Sequence, residues 1–204
     1  MSSEENNSGR KSTVNKLREY LAISGVGEIA RRYFVMNAFD GVLTTLGVII
    51  GASSTSSINT FFIISAVLGG AIAMAVSGVS GAYMAEKAER EREFGELKKA
   101  LISDLKGSIH EKALKFASLY VAVVDGAAPF ISSIIVLSPF FVAHIGLIPP
   151  LIALIMSIIV TTIFLFTLGS YLAKISKTNI LISGLKMVLA GVITAVIIFL
   201  VSLL

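Results

Sequence analysis

An all-α membrane protein with five spanning helices is the fold class this sequence predicts, and three observations predict it. The 204 residues are 55% hydrophobic and only 15% charged, with a mean hydropathy of +0.87. That is more apolar surface than a soluble domain of this size can bury. The apolar residues fall into five runs, at 33–51, 61–84, 116–137, 150–172 and 180–204, each close to the ~20 residues a helix needs to cross hydrocarbon. Finally, the cations are placed with one polarity. Of 17 Lys and Arg, six precede the first run, eight lie between Lys87 and Lys115, and the rest are Lys174, Lys177 and Lys186.

In a five-span chain all of these cations fall on one side, and the loops at 52–60 and 138–149 carry none. Because basic loops are retained in the cytoplasm, the N-terminus is expected inside and the C-terminus outside. The five tyrosines, Tyr20, Tyr33, Tyr83, Tyr120 and Tyr171, lie near that same face, as interfacial aromatics do.

The chain then divides in order. Residues 1–12 are polar, lack the apolar core of a cleavable signal, and are expected to be a disordered tail. Residues 13–32 alternate Val14, Leu17, Leu21 and Ile29 with charged residues, the pattern of an amphipathic helix lying in the interface. Spans one and two occupy 33–84. Residues 85–115 form the charged cytoplasmic element, with Phe94, Leu97, Leu101 and Leu105 at helical spacing. Here the second span is expected to run on beyond the membrane and to break at Gly107. Ser108-Ile-His-Glu111 has capping-box form for the helix that returns. Spans three and four take 116–173, and the fifth takes 180–204.

A repeat is legible within this order. Asp40-Gly41 near the start of span one is matched by Asp125-Gly126 in span three, and Gly81-Ala-Tyr by Gly169-Ser-Tyr; the intervals are 41 and 44 residues. The expected architecture is a two-span hairpin used twice, plus an unpaired fifth span, with a site between the halves.

Asp40 and Asp125 stand apart chemically. They are the acids within apolar runs, roughly 10–15 Å along each helix from its cytoplasmic end. An acid at that depth is costly and as a rule faces a bundle interior, a cavity or a transport path. Carboxylates ligate divalent cations and also take up protons. Desolvation raises an acid's pKa unless a cation compensates, so metal–proton exchange suits such a group. The structural alternative is an ion pair with Lys186, the base inside a run, although Lys186 is near enough to the interface to snorkel out.

Pro129 lies one turn after Asp125 and frees a backbone carbonyl there, either as a cation ligand or as a simple kink. Met74, in the small-residue-rich second span, offers a soft thioether or merely fills space. Glu86, Glu89, Glu93 and Glu96 recur on one helical stripe and form either a cation-gathering mouth or a solvated face stitched by pairs such as Glu86–Arg90. His110 and His144 have no partner pattern.

Other classes are excluded or disfavoured. Cysteine is absent, which removes disulfides and thiolate metal sites. The net charge of +4 is explained by interfacial cations rather than by nucleic acid. Phosphate-binding glycine loops, H-E-x-x-H and nucleophile elbows are missing.

Phe39-Asp-Gly-Val-Leu-Thr-Thr-Leu-Gly47 resembles the first-span signature of the vacuolar iron transporter family, the yeast-type iron/manganese carriers, and this chain is similar to its short prokaryotic members. The likeness continues through Gly81-Ala-Tyr, Asp125-Gly-Ala-Ala-Pro129 and Ser183-Gly-Leu-Lys-Met187. The resemblance implies a homodimer moving Fe²⁺ or Mn²⁺ out of the cytoplasm against protons. Asp40 then matches the family's first-span metal-binding acid, and the stripe from Glu86 its metal-collecting helices. Ala82 stands where the family commonly has Glu, and Gly78 where it has Met.

The reading expected from the sequence is therefore a secondary transporter of divalent iron or manganese. It has no resident cofactor and takes lipid, metal ions and protons as partners. It would sit in the cell membrane of a prokaryote or a vacuole-type membrane of a eukaryote. Its metal residues would be Asp40, Asp125, Met74 and the four glutamates. The alternative is a non-transporting scaffold or metal sensor whose cytoplasmic helices bind a partner. An intramembrane enzyme is a more distant third.

Overall fold

The computed structural model describes residues 20–21, 24–54, 58–101 and 108–202. They form five long helices: α1 (Val26–Ser53), α2 (Thr60–Leu101), α3 (Ile109–His144), α4 (Pro150–Ser176) and α5 (Ile180–Val201). All five are long and apolar enough to cross a membrane, and no strand occurs among the described residues. The all-α, five-span class expected from composition is the one observed.

Helix ends follow local chemistry. The Asn59 side chain caps α2 by accepting from Phe62 N–H at 3.1 Å, and Ser108 caps α3 by accepting from Glu111 N–H at 3.3 Å. Helix α4 opens on Pro150, where the missing N–H costs nothing. It closes on Lys177 in the left-handed region, φ 55°, with its N–H on the Ala173 carbonyl. Two residues later Asn179 caps α5, accepting from Leu181 and Ile182 N–H at 3.0 and 3.3 Å. So short a connection makes α4 and α5 antiparallel neighbours.

The helices outrun the apolar runs at several ends. Helix α1 begins at Val26 rather than near residue 33, and Gly25, with φ of 60°, separates it from the helical residues before it. Residues 26–32, expected in the interfacial element, thus belong to the first spanning helix. Helix α2 runs unbroken from the second span through the charged segment to Leu101, as the helical spacing of Phe94, Leu97 and Leu101 predicts. Helix α3 passes through Pro139 to His144, well beyond the expected end at residue 137. Proline leaves the carbonyl four residues back without its donor, and the Ser138 hydroxyl donates to that carbonyl, on Ile135, at 2.7 Å. The tail, most of the interfacial segment and the break at Gly107 lie outside the described residues.

The helices contribute to two compact units: the described parts of Met1–Phe34 with Ser77–Asp125, and Val35–Val76 with Gly126–Leu204. The first packs Val26 and Ala30 of α1 on Ala117 and Val121 of α3, and Phe116 lies between Tyr20 and Tyr120 with ring centroids 5.9 Å from each. The second is larger. Its core joins Val42 and Ile49 of α1, Ile63 and Val67 of α2, Val136, Leu137 and Phe140 of α3, and Ala153 and Leu165 of α4.

Two glycine contacts set helix spacing in the second unit. A β-carbon on Gly41 would lie 2.6 Å from both Cα and O of Pro129 and would also strike the Ser132 hydroxyl. One on Gly169 would lie 2.8 Å from Cα of Gly184. Only glycine allows these backbones so close, the usual device for joining helices in lipid.

Candidate functional site

The site residues read from the sequence are all on long helices, but the structure treats them differently. Gly41 is buried against α3, and the Ser133 hydroxyl donates to its carbonyl at 3.3 Å. Neighbouring side chains on a helix point about 100° apart, so fixing Gly41 inward turns Asp40 outward. Asp40 is exposed on the surface of the chain. Met36 and Thr44, one turn to either side, are exposed with it. One face of α1 therefore carries a thioether, a carboxylate and a hydroxyl in line. The same spacing was present in the sequence; the apolar character of Met36 and the commonness of Thr hid it.

Asp125 is the opposite case. It is buried, 6% exposed, and takes part in an interaction within the chain. The two acids matched by the repeat thus occupy unlike surroundings. Gly81 and Gly169 diverge in the same way: Gly169 lies against α5, whereas Gly81 meets nothing within 4 Å. Pro129, read as a cation ligand or a kink, is buried at the Gly41 crossing, and the Ser132 hydroxyl donates to its carbonyl at 3.1 Å. Met74 is half-buried on α2.

The glutamate stripe is laced with arginine. Arg90, 8% exposed, lies 3.6 Å from Glu86 and 3.2 Å from Glu93, and Arg92 pairs with Glu89. The hydrogen bond that Arg92 donates to Glu89, then the Glu89 charge, holds the Arg92 guanidinium above its ordinary pKa, with Glu96 adding to the field. Across the gap, Glu111 pairs with Lys115 at 2.7 Å. The interleaving of charges that made pairing legible in the sequence is realised here. Among the described residues, no three His, Cys, Asp or Glu side chains come together as a metal cluster. His144, which the sequence left without a role, sits by the start of α2, with Thr60 Oγ1 3.5 Å from Nδ1.

Five helices long and apolar enough to cross a membrane define an integral membrane protein. Residues 31–102 and 99–203 match the model of the VIT family. The chain is also 38% identical over 180 residues to Uncharacterized protein MJ0645 of Methanocaldococcus jannaschii, covering 86% of this chain and 90% of that one. This chain belongs to the VIT family, a family of membrane metal transporters.

Proposed function

We propose that this chain is one protomer of a homodimeric transporter that exports Fe²⁺ or Mn²⁺ from the cytoplasm in exchange for protons, with Asp40 as the carboxylate that takes the cargo. The observation carrying this reading is the exposure of Asp40 in a helix otherwise suited to lipid. A carboxylate facing hydrocarbon is unstable. A second copy seated on the same face would cover it, and two-fold symmetry would bring two copies of Met36, Asp40 and Thr44 together. That supplies paired hard carboxylates with soft thioethers, a donor set suited to Fe²⁺ and Mn²⁺. It also explains how a single chain can lack a three-residue cluster among its described residues and still carry metal.

Exchange follows from charge. A divalent cation balances the charge of the facing acids; once it leaves, incoming protons balance it instead, since unpaired carboxylates at that depth are costly. Asp125, which is buried, fits proton uptake better than cargo contact. The glutamates at 86, 89, 93 and 96 would raise the local cation concentration at the cytoplasmic mouth, and Met74 would add a thioether along the route.

In proteoliposomes loaded with a metal-sensitive dye, a pH gradient should drive Mn²⁺ or Fe²⁺ uptake in wild type. Asp40→Asn should abolish it, and Asp40→Glu should retain a measurable part. Undiminished flux in Asp40→Asn would remove the assigned role. The arginine-laced stripe is what favours the alternative scaffold or sensor. Partner binding by the intact chain with no metal flux would support that alternative.

A further inference from the structure

We propose that the furrow between α1, α4 and α5 seats one acyl chain of a phospholipid, drawn from the leaflet away from the Lys- and Arg-rich segments. The furrow has a volume of 570 Å³, within the ~300–1,000 Å³ of small-molecule sites. Ile50 and Ser53 of α1, Leu154 and Ile158 of α4, and Ala195 and Phe199 of α5 are among its walls. All of its lining residues belong to the larger compact unit.

The furrow follows from how α4 and α5 pair. Near their connecting turn the two backbones touch, since a β-carbon on Gly169 would lie 2.8 Å from Cα of Gly184. The furrow lies toward their other ends, between the first turns of α4 and the second half of α5. A smaller pocket of 80 Å³ shares Ile50, Ile158, Val192 and Ala195 with it and carries it on to Val188. From Ser202 to Val188 along α5 is about 21 Å at ~1.5 Å per residue. One leaflet supplies about half of the ~30 Å hydrocarbon core, so the furrow is long enough for a chain over the full depth of its leaflet.

The lining has the polarity profile of a lipid. It is hydrocarbon apart from Ser53, Ser54 and Ser202, which stand where α1 and α5 end. Ser54 and Ser202 donate their hydroxyls to their own helices, on the Ile50 and Phe199 carbonyls at 2.9 and 2.7 Å. Ser53 Oγ is buried and has no hydrogen-bond partner, which leaves it to donate to an oxygen of the glycerol backbone. Residues 41–85, 126–173 and 187–204 contain no Lys, Arg, Asp or Glu, so the segments that form the walls offer a headgroup no charged side chain. Recognition rests on the tail and the glycerol oxygens.

The surrounding solvent decides what fills the furrow. Val192, Val196, Phe199 and Leu200 on its rim are exposed, on a helix apolar enough to cross a membrane, so the furrow opens sideways onto hydrocarbon. Left empty, its walls forfeit dispersion contacts, and a hydrocarbon lining gives water few of the ~2–4 polar partners it needs. The face of α1 proposed to meet a second copy, at Asp40 and Thr44, is about 120° around the helix from Leu46 and Ile50. That copy leaves the furrow to lipid, and the inference is independent of the transported ion.

The test uses the full chain in detergent. Its thermal unfolding midpoint is titrated with dioleoyl phosphatidylcholine, dioleoyl phosphatidylglycerol or glycerophosphocholine, a headgroup without chains. A saturable rise with both lipids and none with glycerophosphocholine is expected. Ala195→Phe, which fills the furrow, should weaken that binding at least about tenfold, and Ser53→Ala several-fold. Ile193→Phe, at an exposed position of α5 outside the lining, should leave it unchanged. A rise that never saturates, a rise confined to phosphatidylglycerol, or equal binding by Ala195→Phe overturns the proposal. So does a change of oligomeric state in Ala195→Phe without lipid binding by wild type, which would assign the furrow to a second copy. If Ala195→Phe does not fold, Ala195→Leu takes its place with the same outcomes.

Discussion

Gly41 and Pro129 meet backbone to backbone, so closely that a β-carbon on Gly41 would sit 2.6 Å from the proline carbonyl oxygen. The contact joins α1 to α3, and it turns the preceding residue, Asp40, away from the packed side. The aspartate and glycine of the first-span motif thus have separate duties. Gly41→Ala is expected to destabilise the protein by ~1–3 kcal/mol, the usual range for overpacking, and Gly41→Val by more. Thermal unfolding in detergent measures it; an unchanged midpoint would show that the crossing relaxes freely.

The face of α1 that bears Asp40 is expected to meet its own copy. Since the chain has no cysteine, Met36→Cys and Thr44→Cys each introduce one reporter thiol. Mild oxidation in membranes should give a disulfide-linked dimer from at least one of these exposed positions, while a thiol at the buried Val42 should give none. Monomer throughout would place the partner elsewhere.

Thr161 is buried on α4, and its hydroxyl has no hydrogen-bond partner. Removing an unsatisfied polar group without changing shape is neutral or favourable. Thr161→Val should therefore leave stability unchanged or raise it by up to ~1 kcal/mol, read as an unchanged or higher unfolding midpoint. A clear loss would mean the hydroxyl is bonded in the membrane, for example to water.

Asn179 holds the first turn of α5 by accepting two backbone N–H groups. Asn179→Ala should cost ~1 kcal/mol, read from the same melts, and Asn179→Asp should restore most of it. Equal stability of the alanine variant would indicate that the α4–α5 glycine contacts alone hold the hairpin.

Much of the fold was legible because its signals are local. Span number follows from run lengths, and the continuation of α2 from the helical spacing of Phe94, Leu97 and Leu101. The third apolar run ends at residue 137 whereas α3 continues to His144, and the bond from Ser138 to the Ile135 carbonyl shows how the helix passes Pro139. The start of α1 was placed late because Arg31 and Arg32 look interfacial, although they begin a spanning helix.

The candidate site was legible in its residues and not in its arrangement. Charge in an apolar run singles out Asp40 and Asp125, and i, i+4 spacing pairs Glu111 with Lys115. Nothing local distinguishes the exposed Asp40 from the buried Asp125, since each precedes a glycine in a similar run.

By itself, then, the sequence determined the class of protein, the spans and the identity of the unusual acids, because hydropathy and charge act through the solvent each residue must have. Only the tertiary structure decided which acid faces outward and which glycine closes a helix crossing. Those depend on contacts between helices far apart in the chain, where steric fit and hydrogen-bond geometry select among faces that hydropathy leaves equivalent.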